Sequence, residues 1–127
     1  MRLPLFALLL AALATLSLAA QSNESICRGK SQRTGSLAAA SIRAFCAKTN
    51  LVATSHYAME GKYAGPNRIG THAFVAAKSS CPYGSDWIPQ KYCLQQFMEV
   101  CARGDKWGHG VRSYGKGDCQ EFNLQAR

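Results

Sequence analysis

Acidic side chains are scarce in this chain, and so are the spacings on which metal and nucleophile chemistry depend. Seven Asp and Glu stand against fifteen Lys and Arg, giving a formal charge of +8 over 127 residues. No Cys-x-x-Cys occurs, and His109 is the sole histidine near the C-terminal cysteines, so zinc is not expected and no metal ligands are assigned. There is no Ser-His-Asp motif and no phosphate-cradling glycine loop, so no catalytic residues and no cofactor are assigned. Repeats, linkers rich in Pro or Ser, and low-complexity tracts beyond the first twenty residues are also missing. What remains is one basic domain.

The one long apolar run is at the start. Met1 to Ala20 reads as a secretory signal peptide: Arg2, then an apolar core, then small residues at a cleavage site. A membrane anchor would need ~20 apolar residues, and this run is interrupted by Pro4, Thr15 and Ser17 with no basic stop-transfer cluster after it. Cleavage is expected after Ala20, which makes residues 1–20 a signal peptide and 21–127 a single disulfide-stapled α+β domain. Asn23-Glu24-Ser25 follows directly and is an N-glycosylation acceptor on an expected disordered, exposed terminus.

All six cysteines lie in the mature part, at Cys27, Cys46, Cys81, Cys93, Cys101 and Cys119. An even number in a short exported chain predicts three disulfides and no free thiol. The expected pairing is Cys27 with Cys46, Cys81 with Cys93 and Cys101 with Cys119, one of fifteen arrangements that six cysteines allow. One exclusion is firmer. Cys93, Phe97, Val100 and Cys101 share one face of a helix expected from about Pro89 to Arg103, capped by Ser85 or Asp86 and stopped by Gly104. Cysteines eight apart on that helix are about 12 Å apart along its axis, too far for a bridge between them.

A first helix is expected over Leu37 to Lys48, with Ser36 as N-cap and Leu37, Ala38, Ser41, Phe45 and Cys46 on one face. Strands are expected at Ser25–Arg28, His56–Tyr63, Ile69–Lys78 and a half-buried Gln120–Leu124, with Gly65-Pro66-Asn67 as a hairpin connection. The fold class is α+β, a small disulfide-stabilised α/β sandwich. Its order is βαββαβ, with an antiparallel sheet carrying two helices on one face.

Three stretches carry a family resemblance. They are Ile26-Cys27-Arg28-Gly29-Lys30-Ser31, the segment from Cys93 to Cys101, and Gly117-Asp118-Cys119-Gln120-Glu121-Phe122. Together with the element order they resemble the killer-toxin-like proteins of fungi, which include the virally encoded toxins of smut fungi and small cysteine-rich effectors. The resemblance implies a secreted, extracellular, non-enzymatic virulence or interaction factor acting on host or competitor cells. Its partner would be a cell-wall polymer, a membrane surface or a receptor, and the protein a monomer. Nucleic acid is expected only if the chain enters a target cell.

The residues themselves offer two kinds of site. Arg103, Lys106, Trp107, Arg112, Tyr114 and Lys116 surround a glycine-rich stretch, Gly104 to Gly117, expected to be a loop without secondary structure. Cations beside exposed aromatics suit anionic polymers, sugars and membrane head groups. A second basic group, Arg28, Lys30 and Arg33, precedes the first helix. The alternative is a small secreted hydrolase, a ribonuclease, built on His56, Glu60, Arg68 and His72. On one strand His56 and Glu60 would be ~13 Å apart, too far to cooperate, with His72 able to approach either. His109, among glycines, is expected to be exposed.

Overall fold

The computed structural model describes residues 21–66, 69–78, 81 and 86–127. The expected signal peptide, Asn67 of the hairpin, Arg68 and the Ser85 cap lie outside these residues. The disulfide-stabilised α+β class holds, but the element order is not βαββαβ. It runs α1 (Asn23–Thr34), α2 (Ala38–Phe45), β1 (Leu51–Val52), α3 (His56–Glu60), β2 (Lys62–Ala64), β3 (Thr71–Ala77), β4 (Trp87–Ile88), α4 (Gln90–Arg103), β5 (Gly110–Tyr114), a 3-10 turn (Lys116–Asp118) and β6 (Gln120–Ala126).

The first departure is α1, where a strand and a disordered terminus were expected. Ser22 caps the helix by accepting a hydrogen bond from the Ser25 amide at 3.1 Å, and Glu24 stands in the first turn, favoured by the helix dipole. Gly35 ends it at φ 74°, in the left-handed region that glycine enters without steric cost. Cys27 is the one residue of α1 that is buried.

The second departure is α3. His56–Tyr63 alternates like a strand, yet Ser55 caps a short helix by accepting from the Ala58 amide at 3.2 Å. Gly61, at φ 72°, turns the chain into β2. A side chain at Gly61 would also collide with the Ala73 carbonyl. The first expected helix, by contrast, is present as α2, though it ends at Phe45 rather than Lys48 and Leu37 leaves its buried face to Ala39. Leu37 rather than Ser36 is its N-cap, although Ser36 Oγ, just outside, accepts from the Ala38 amide at 3.2 Å.

The main sheet is antiparallel throughout, in the order β2-β3-β6-β5. β6 is therefore an interior strand, more buried than expected. Val75 pairs with Phe122 and Ala73 with Leu124 in register, and these side chains make the covered face. Helix α2 packs on β2 and β3, and α4 packs on β5 and β6, so two helices do cover one face. Helix α1 lies outside them, against α4 and α2. The core between is aromatic: Phe97 lies 5.2 Å from Phe45 and 4.8 Å from Phe122 between ring centroids. A separate two-stranded ladder pairs β1 with β4. Among the described residues no helix is long and apolar enough to cross a membrane.

Three bridges use all six cysteines, but not in the expected pairs. Cys27 joins Cys101, Cys46 joins Cys93 and Cys81 joins Cys119. The expected pairs followed chain order, whereas the real ones follow packing. Cys93 and Cys101, at opposite ends of the buried stripe of α4, take one partner from the C-cap of α2 and one from α1. The excluded Cys93–Cys101 bridge is indeed absent.

Candidate functional site: a cationic end

The stretch after α4 is not the open loop its glycines suggest. It is a compact turn followed by β5. Asp105 organises the turn, its Oδ1 accepting from the Trp107 amide at 3.0 Å and the His109 amide at 2.9 Å. The Asp105 amide donates to the His109 carbonyl, and Gly108 donates back to Asp105. Gly108 sits at φ 82°, and a Cβ there would lie 2.5 Å from Cys101 Sγ, so only glycine fits. From outside the turn, Ser36 Oγ donates to the Trp107 carbonyl at 2.6 Å.

Lys30 fastens α1 to this end. Its Nζ donates to the carbonyls of Cys101 at 3.0 Å, Ala102 at 2.7 Å and Gly104 at 3.0 Å. These carbonyls lie at the negative pole of the α4 dipole, and that of Cys101 also takes the Gly104 amide at 3.2 Å. Burial pulls the Lys30 pKa below its ordinary 10.5, Asp105 acting against that and Arg33 with it. Part of each basic group thus lies at this end. Arg33 is exposed at the end of α1, Arg103 at the end of α4 and Lys106 on the turn, and among the described residues none of the three is in an ion pair. Lys106 Nζ stands 4.4 Å from the ring centroid of Trp107, which is 37% exposed.

The six expected contact residues are not all placed together. Arg103, Lys106 and Trp107 share the cationic end. Arg112 and Tyr114 lie on β5, and alternation turns both toward α4. Glu99 pairs with Arg112 Nε at 3.4 Å and accepts from the Tyr114 hydroxyl at 2.7 Å. Burial, then Glu99, pushes the Tyr114 pKa far up. Lys116 belongs to the 3-10 turn beyond β5, after Tyr114 has reached the middle of α4. Arg28, from the other basic group, pairs with Glu24 at 3.1 Å. Lys30 and Arg33, absent from the six expected residues, join this end because α1 is a helix laid along α4.

The histidine group is also rearranged. On α3 rather than a strand, His56 Nε2 is 3.1 Å from Glu60 Oε2, not ~13 Å away. His72 Nε2 is 2.8 Å from the Glu60 carbonyl, and its ring is stacked between Tyr63 and Phe74. Both side chains of the His56–Glu60 pair are largely in solvent, 91% and 65% exposed. His109 is half-buried rather than exposed, its Nε2 2.9 Å from the hydroxyl of buried Thr71.

One large concavity lies elsewhere. A groove of about 790 Å³ runs between the start of α1, the end of α2 and α4, and its lining includes Asn23, Leu94, Met98 and Tyr114. Comparison of the chain with protein-family models, curated proteins and solved structures finds no match. Function has to be argued from these residues.

The turn carries its own pH dependence. Burial holds the His109 imidazole below its ordinary pKa of 6.5, with Asp105 pulling the other way. As pH falls, the unfolded chain takes up this proton before the folded one does. The group is neutral in both states well above 6.5 and leaves stability untouched there. Stability is lost as pH drops from that value through the folded-state pKa. Denaturant titrations at about pH 8 and about pH 5 should show a larger loss in the wild type than in His109→Gln. Equal losses would mean that the imidazole titrates as freely in the fold as outside it.

Proposed function

We propose that the chain is an exported, non-catalytic binding protein, an effector-like or killer-toxin-like factor that engages an anionic surface on a host or competitor cell. The observation that carries this reading is that Arg33, Arg103, Lys106 and Trp107 are all carried at the end where α1 is fastened to α4, over a backbone held by Asp105, Ser36 and Lys30. Clustered cations raise the local potential toward an anionic partner and speed encounter. An indole already stacked with an ammonium adds contact area at low entropic cost, because little is left to order on binding. Export is supported by the residues of the leader and by three bridges, of a kind that persists in oxidising compartments.

Heparin, a sulfated polysaccharide, and vesicles containing phosphatidylserine serve as probes. The combined variant Arg103→Ala, Lys106→Ala, Trp107→Ala should bind the preferred probe more than about tenfold more weakly, or ~1.4 kcal/mol. Wild-type binding should fall as salt rises. Arg112→Ala should change affinity little, because Arg112 faces Glu99. Unchanged binding in the combined variant would reduce the turn to a connector.

A ribonuclease is the second reading, favoured by the approach of His56 and His72 to Glu60. Against it, the pair lies open to solvent and His72 Nε2 is held by a carbonyl. The mature protein is expected to leave RNA intact. Digestion that His56→Ala or His72→Ala abolishes in a folded protein would establish the enzyme reading instead.

A further inference from the structure

The groove between α1 and α4 plays no part in the cationic end, and its chemistry differs. Its charges are already answered. Glu24 is paired with Arg28 and Arg43, and Glu99 is held by Arg112 and the Tyr114 hydroxyl. What is left is a narrow apolar strip, half-buried Leu94 with buried Met98 at its floor one turn along α4, flanked by the amides of Gln95 and Gln96. A neutral, amphipathic occupant suits that surface, one with apolar patches for Leu94 and hydrogen-bonding groups for the amides. A sugar bearing an acetamide has this character.

The rim supplies the attachment point. Asn23 lines the groove, is exposed, and is the first residue of Asn23-Glu24-Ser25. It is also the first residue of α1, preceded by its cap, so the folded chain leaves its amide at the surface. We infer that the groove seats a glycan carried by Asn23 itself, with the first N-acetylglucosamine against Leu94 and Met98. In the transfer, Asn23 Nδ2 forms a bond to the anomeric carbon of a lipid-diphosphate-linked oligosaccharide and loses one proton. The bond from that carbon to the phosphate oxygen breaks, and the lipid diphosphate leaves. Attachment at the rim makes occupation intramolecular, with an effective concentration in the millimolar range for a short tether. A free sugar need not reach that concentration. The inference rests on the export reading, since the transfer takes place on the secretory route.

The test uses the full chain, leader included, expressed in a secreting eukaryotic cell and recovered from the medium. An endoglycosidase then trims any glycan to one N-acetylglucosamine. The protein is expected to be heavier than Ser25→Ala, which lacks the acceptor hydroxyl, by that one sugar plus the serine oxygen. Nuclear Overhauser contacts are expected from the acetamido methyl to the methyls of Leu94 and Met98. Secreted protein with no sugar at Asn23 would overturn the inference and leave export standing. So would an attached sugar without those contacts, which would place it in solvent. A chain that stays inside the cell without sugar would overturn the export reading and this inference with it.

Discussion

The rest of the molecule depends on how α1 is docked against the end of α4. Helix α1 offers little apolar surface, with Cys27 its one buried residue, so burial alone does not hold it. Two interactions do. The Cys27–Cys101 bridge closes a separation of 74 residues, a span for which constraint of the unfolded chain is worth about 4 kcal/mol. One turn further along, the Lys30 ammonium satisfies three carbonyls at the end of α4. Charge-assisted hydrogen bonds are the stronger kind, and here they also answer the helix dipole.

The layout of the cationic end follows from that docking. It brings Arg33 to the same end as Arg103, and it sets the platform on which Asp105 and Gly108 fold the turn under Lys106 and Trp107. The opposite end of the α4 stripe is fixed by Cys46–Cys93, which ties in α2 and closes the aromatic core over the sheet. Helix α4 therefore works as a spine, with each cysteine taking a different neighbour. The groove beside Asn23 is the space left where α1 begins, α2 ends and α4 passes beneath them.

Much of this was legible in the residues. The stripe Cys93, Phe97, Val100, Cys101 is long and regular enough to define α4, the run Ile69–Lys78 holds Phe74 and Val75 of one strand, and Gln120–Leu124 alternates enough to read as another. The short helices were harder. Ser22 and Ser55 are ordinary capping residues, but α1 has no apolar stripe to confirm it, and α3 followed by β2 imitates the alternation of a single strand. The cysteine pairing was hidden for the same reason, because it depends on where α1 docks. In the candidate site, Arg103, Lys106 and Trp107 were visible as cations beside an aromatic. Arg112 and Tyr114 were misplaced because the surrounding glycines masked β5, whose alternation turns both toward Glu99. The contribution of Lys30 and Arg33 could not be seen without the helix.

The central claim is that docking α1 onto α4 assembles the cationic end. The most direct measurement is the heparin affinity of Cys27→Ala/Cys101→Ala beside wild type at one salt concentration, with the sheet amides still protected from exchange. That double variant changes no charged residue. The account predicts binding weakened several-fold, because Arg33 and the turn are no longer held together. Wild-type affinity in the double variant would contradict it.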